Sequence, residues 1–117
     1  MARQDSGMPR SQFLILLALA DAPRHGLGIA EDIDLRTAGA VQLGPGTLYG
    51  TLKRLSQEGW VEEASSTSIP EEHDPRRKYW QLTPDGRAAL ADEVGLLQNL
   101  LTAAWDKAVP GTRSGGV

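Results

Sequence analysis

The sequence contains no cysteine, which excludes disulfides, iron–sulfur clusters and thiolate metal sites. Aromatic residues are scarce, at 5% with a single Phe, so the core has to be built from aliphatic side chains. The apolar run at residues 13–20 is too short to cross a bilayer. Acidic and polar helix follows it rather than a small-residue cleavage site, so no membrane partner and no signal peptide are expected, and the cytoplasm is the expected compartment. No nucleophile–base pair, buried carboxylate pair or Gly-rich phosphate loop stands out, and Gly44-Pro-Gly-Thr is too short and too Pro-bound to cradle a phosphate. His73 with Glu71, Glu72 and Asp74 has metal-binding side chains without metal-site spacing. The expectation is no catalytic residue, no metal and no cofactor.

What is present is enough for one modest core. The chain has 117 residues, 40% of them apolar, and at this size roughly 65% of the unfolded surface can be buried. The net charge of −3 speaks against a nucleic-acid partner, but the distribution speaks for one. Lys53, Arg54, Arg76, Arg77, Lys78 and Arg87 fall in two short stretches, while Glu31, Asp32, Asp34, Glu62, Glu63, Glu71, Glu72 and Asp74 gather elsewhere. A local basic face suffices, because counterion release depends only on the phosphates contacted.

Residues 44–60 are the most informative stretch. Gly44 and Pro45 break the preceding structure, Leu48, Leu52 and Leu55 recur on one helical face, and Gly59 stands where a helix C-cap belongs. The other face carries Thr47, Gly50, Thr51, Lys53 and Arg54, small, hydroxylic or cationic. A helix apolar behind and positive in front suits the major groove.

Around it, residues 1–10 read as disordered. Ser11 caps a first helix to about Ala20 that is apolar nearly all round. A turn at 21–26 holds His25 as a hydrogen-bonding or capping residue, and a second helix spans about 27–37. Residues 39–46 form a connector with a very short strand at most. Trp60–Ala64 and Lys78–Leu82 read as strands pairing across a loop at 65–77. Thr83 caps and Pro84 opens a long helix to about Lys107, with Leu90, Val94, Leu97, Leu101 and Ala104 spaced 4, 3, 4, 3. The tail 109–117 reads as disordered. The fold class is mainly α with a small β-hairpin: a winged helix-turn-helix over 11–82, then a C-terminal helix over 83–108. In that architecture the third helix enters the major groove and the hairpin is the wing.

With these elements in place the chain resembles the PadR family of bacterial transcriptional regulators. The matching residues are Pro45-Gly-Thr-Leu-Tyr49, Leu52-Lys-Arg-Leu55, Glu58-Gly59, Arg77-Lys78-Tyr79, Leu82-Thr83 with Gly86, and His25-Gly26, within about residues 11–105. The single C-terminal helix resembles the smaller subfamily, in which that helix serves dimerisation. The resemblance implies a homodimer on a roughly palindromic double-stranded operator, usually a repressor released by a signal or small-molecule effector. Leu27 stands where the family often has Tyr. Leu97 stands where some multidrug-responsive members carry a ligand-stacking Trp, and Trp105 lies more than two turns later.

The expected DNA-contacting residues are therefore Thr47, Tyr49, Gly50, Thr51, Lys53, Arg54, Arg76, Arg77 and Lys78. Thr51 or Lys53 would read bases, and Tyr49 has the alternative of packing on the core edge. The expected dimer seam is Phe13, Leu17, Val94, Leu97, Leu101, Ala104 and Trp105. The competing reading is a winged-helix module that binds protein instead of specific DNA, and the negative net charge is its best support.

Overall fold

The computed structural model describes residues 7–65 and 74–107. Its elements run α1 (Arg10–Ala18), β1 (Arg24–His25), α2 (Gly26–Arg36), α3 (Pro45–Gln57), β2 (Val61–Glu63), β3 (Tyr79–Leu82) and α4 (Pro84–Asp106). The strands form one antiparallel sheet in the order β1-β3-β2. The expected hairpin is thus a three-stranded sheet, because Arg24 and His25 pair with Trp80 and Tyr79. Two residues carry no periodicity, so β1 had no signal in the sequence.

Helix α1 is buried on more than one side, with Gln12, Leu14, Ile15, Leu16 and Ala18 all enclosed. Its N-cap is Pro9 and not Ser11, and no side chain caps it; Arg10, expected in the disordered stretch, is its first residue. Residues 1–6 lie outside the described residues. Ile15, Leu16, Ile29, Ile33, Leu52, Leu55 and Val61 meet in a core that Leu82 and Leu90 close from the sheet and α4. It is aliphatic, as the scarcity of aromatic residues requires, with Trp60 and Trp80 packed at its margin.

The helix ends show why the chain turns where it does. At the end of α3 the Trp60 and Gly59 amides donate to the Leu55 and Ser56 carbonyls, with Gly59 at φ 82°, a Schellman stop. The end of α2 is built the same way, with Ala38 at φ 52° in the left-handed position. The 39–46 connector contains no strand. The Thr37 hydroxyl donates to the Ile33 carbonyl and accepts from the Val41 amide, and this side-chain staple competes with any ladder. The Thr83 hydroxyl caps α4 by accepting from the Gly86 amide at 3.0 Å. Gly86 lies against the entry to β2, where a methyl group would overlap the Trp60 carbonyl oxygen and approach its carbon to 2.8 Å. No described helix is long and apolar enough to cross a membrane.

Candidate nucleic-acid interface

Helix α3 splits cleanly into two faces. Leu48, Leu52 and Leu55 are buried, and Thr51 is buried with them at 5% exposure. The sequence reading put Thr51 on the outer face. Its spacing of three from Leu48 and four from Leu55 instead completes the inner stripe, so Thr51 is not available to read a base. Thr47, Gly50, Lys53 and Arg54 are exposed. Among the described residues neither Lys53 nor Arg54 forms an ion pair. Gln57 extends the line of Gly46, Gly50 and Lys53 at helical spacing and is exposed; that i+7 step from Gly50 was readable in the sequence.

Tyr49 stands at the flank of this face. Its side chain lies over the first residue of α2, where a methyl group on Gly26 would come within 2.6 and 2.9 Å of Tyr49 ring carbons. Yet Tyr49 stays 53% exposed. The packing alternative and an outward role coexist: one edge rests on Gly26, and the rest faces solvent.

The wing cations come to the same place. A cleft of about 520 Å³ is lined by His25, Gly26 and Leu27 at the start of α2, Tyr49 of α3, and Arg76, Arg77, Lys78 and Trp80 of the wing. Residues more than fifty apart in sequence thus share one basic hollow. Lys78 Nζ sits 5.4 Å from the centre of the Trp80 ring, within cation–π range. Arg76 and Arg77 are held by Asp74, with N–O distances of 3.2 and 3.5 Å. The hydrogen bonds from Arg76, then the nearby Arg77 charge, hold the Asp74 carboxyl below the ordinary carboxylate range. Asp74 therefore neutralises its neighbours. Glu71, Glu72 and His73 lie outside the described residues, and these contain no cluster able to hold a metal ion.

His25 ties the hollow together. Its Nδ1 accepts from the Gly28 amide at 3.0 Å, capping α2, as the sequence suggested. Its ring meets Tyr79 edge-on at 5.2 Å, and Arg77 Nη1 lies 3.1 Å from Nδ1. Burial first, then the Arg77 charge, lower the His25 pKa, against smaller opposing effects of Glu31 and Asp74.

Away from this face, α4 keeps an uncovered apolar stripe. Val94, Leu97, Leu101 and Trp105 are exposed, as are Leu96, Leu100 and, from α1, Leu17. Ala104 is half-buried. Phe13 is partly buried against the core and shares with Leu97 a hollow of about 350 Å³ beside the buried Glu93.

Comparison with known proteins agrees with this architecture. The model of the transcriptional regulator PadR-like family matches residues 15–92. A 37.1 kDa protein of transposon Tn4556 from Streptomyces fradiae is 38% identical over 100 residues, which is 86% of this chain. The chain spans about a quarter, 26%, of that relative's length. A PadR family transcription regulator from Clostridium difficile superposes with a TM-score of 0.67 at 22% identity, covering 86% of this chain and 99% of the other. A transcriptional regulator from Clostridium thermocellum gives 0.66 at 21%, covering 85% and 89%. BpsR of Bordetella bronchiseptica, whose DNA binding is regulated by 6-hydroxynicotinic acid, gives 0.63 at 22%, covering 94% and 70%.

Proposed function

From the premise that this chain belongs to the PadR-like family of transcriptional regulators, we propose that it is a homodimeric, cytoplasmic, sequence-specific DNA-binding repressor of a palindromic operator. The observation that carries the reading is the outer face of α3. Thr47, Gly50, Lys53 and Arg54 stand exposed with no acid among them, beside a hollow that gathers Tyr49 and the wing cations. In this reading α3 lies in the major groove, where Lys53 reads base edges and Thr47, Tyr49 and Arg54 fix register on phosphates. Gly50 lets the backbone of the helix approach the duplex. Arg76, Arg77 and Lys78 follow the backbone from the wing.

The stripe Val94, Leu97, Leu101, Ala104 and Trp105, with Phe13 and Leu17, is covered by the same stripe of a second copy. Two α3 helices then face successive grooves, and repression follows from occluding polymerase. A small-molecule effector releases the operator by favouring a dimer geometry in which the two helices no longer match the half-sites.

Fluorescence anisotropy on the intergenic duplex upstream of the gene, against a scrambled duplex at several salt concentrations, tests the reading. On this face three cations per subunit, Lys53, Arg54 and Lys78, form no ion pair among the described residues, so a dimer has a log K against log salt slope of about −5. Lys53→Ala with Arg54→Ala weakens binding about tenfold or more and flattens that slope by about 3.6. Equal, weak binding to both duplexes, unchanged by the substitutions, would favour the protein-binding module instead.

A further inference from the structure

We infer that His25 is a positioning residue for the DNA contact, a latch that fixes the wing arginine Arg77 relative to α2 and α3. The inference rests on the DNA-binding reading above. Nothing in that reading gives His25 a task beyond capping α2, yet its ring joins two elements distant in sequence.

The contacts define the chemical state of the latch. Nδ1 accepts from the Gly28 amide at 3.0 Å, so that nitrogen carries a lone pair and no hydrogen. Arg77 is a donor only, and its Nη1 lies 3.1 Å from the same Nδ1 and 3.4 Å from Nε2. The Gly28 bond uses the one lone pair of Nδ1 and leaves the hydrogen of the neutral ring on Nε2. An Nη1 almost equally far from both ring nitrogens rests over the ring face, where a neutral imidazole accommodates a cation that an imidazolium would repel. One imidazole thus ends α2 correctly and holds a guanidinium from the wing.

The other side of the ring is fixed by Tyr79, edge-on at 5.2 Å. The Tyr79 hydroxyl accepts from the Asp74 amide at 3.1 Å, and Asp74 pairs with Arg77. The chain of contacts closes on itself: His25, Arg77, Asp74, Tyr79 and back to His25. Both arginines pair with Asp74, but Arg77 is 41% exposed at its side chain against 88% for Arg76, so of the two it is the one enclosed by the hollow. A side chain fixed before binding loses less rotamer freedom on meeting a phosphate, and that difference is what His25 contributes.

The test is a double-mutant cycle in the full chain with His25→Asn and Arg77→Ala, read on a mixed-sequence DNA duplex, because wing contacts to the backbone need no operator. Asn at the N-cap supplies an equivalent acceptor, so His25→Asn keeps the melting temperature while removing the ring. Arg77→Ala weakens binding, but because Asp74 already offsets part of the Arg77 charge, it flattens the salt slope by less than about 2 for the two subunits. His25→Asn is expected to weaken binding several-fold in the parent and to change nothing further in the Arg77→Ala background. Equal losses in both backgrounds, or no loss in the parent, would overturn the latch while leaving the DNA reading intact. A parent protein with no salt-dependent binding would remove the DNA reading and the latch with it. Long-range ¹⁵N–¹H spectra of the unmutated protein provide an independent readout: the hydrogen on Nε2 supports the latch, and the hydrogen on Nδ1 refutes it.

Discussion

Two glycines in α4 should respond to the same substitution with opposite signs. Gly95 is exposed, and a methyl group there would meet nothing within 4 Å. It shares the polar face of the helix with Asp92 and Asn99, away from the apolar stripe, so a second copy seated on that stripe does not touch it. Gly95→Ala therefore gains the helix-propensity difference, about 1 kcal/mol. Gly86 is the third residue of the same helix, and its methyl would overlap the Trp60 carbonyl oxygen. That carbonyl cannot simply turn aside, because it accepts from the Thr83 amide at 3.1 Å. Overpacking costs about 1–3 kcal/mol, and weakening that hydrogen bond adds about 1. The propensity gain offsets up to about 1 kcal/mol, so Gly86→Ala destabilises by about 2 kcal/mol. For a domain of this size about 4–8 °C accompanies each kcal/mol, so Gly86→Ala should melt about 10 °C lower and Gly95→Ala about 5 °C higher. Thermal unfolding followed by circular dichroism checks both, at one protein concentration because association of copies raises Tm by mass action. A Gly86→Ala protein as stable as its parent would refute the close approach of α4 to β2.

Three further outcomes are expected. Asp74→Asn keeps the acceptor for the Arg76 amide, 2.9 Å away, while freeing both wing arginines, so DNA affinity rises several-fold with a steeper salt slope; unchanged affinity in the same anisotropy assay would contradict the neutralising role of Asp74. The unfolded His25 titrates near 6.5 and the folded one lower, so the unfolded chain takes up the proton first. Stability is then full above about pH 6.5 and is lost as pH falls through the folded value, and His25→Asn removes that part of the loss in urea titrations across this range. Leu97→Glu with Leu101→Glu buries carboxylates in the proposed seam at a cost of several kcal/mol; light scattering should find monomers, with DNA affinity reduced at least about tenfold, and an intact dimer would move the seam elsewhere.

Much of the fold was legible because its signals are local. The Leu48, Leu52, Leu55 stripe, the stop at Gly59 and the Thr83-Pro84 start each depend on residues within one or two turns, and the structure places α3 and α4 within a few residues of those marks. Thr51 was misread because a hydroxyl suggests solvent, whereas its helical phase decides burial and a Thr methyl tolerates the core margin. Pro9 displaced Ser11 as the cap because two added residues, about half a turn, bring Arg10 and Ser11 into α1. The strand at Arg24 and His25, the pairing of Asp74 with the wing arginines and the resting place of Tyr49 over Gly26 all join distant segments, and no window along the sequence contains both partners. The tail 109–117 lies outside the described residues, as does most of the 65–77 loop.

The pairing of Arg24 and His25 with Trp80 and Tyr79 also sets an order of events at the ribosome. About 55 residues separate the partners, a loop that must close against its entropy before either side is rewarded. At about 5–20 residues per second, the first partner waits some 3–10 s for the second to emerge. Helices α1 to α3 can dock meanwhile, but the hollow beside Tyr49 has no wing wall until β3 arrives. A nascent or prematurely terminated chain ending before Tyr79 therefore presents α3 without the strand that sets the wing cations beside it.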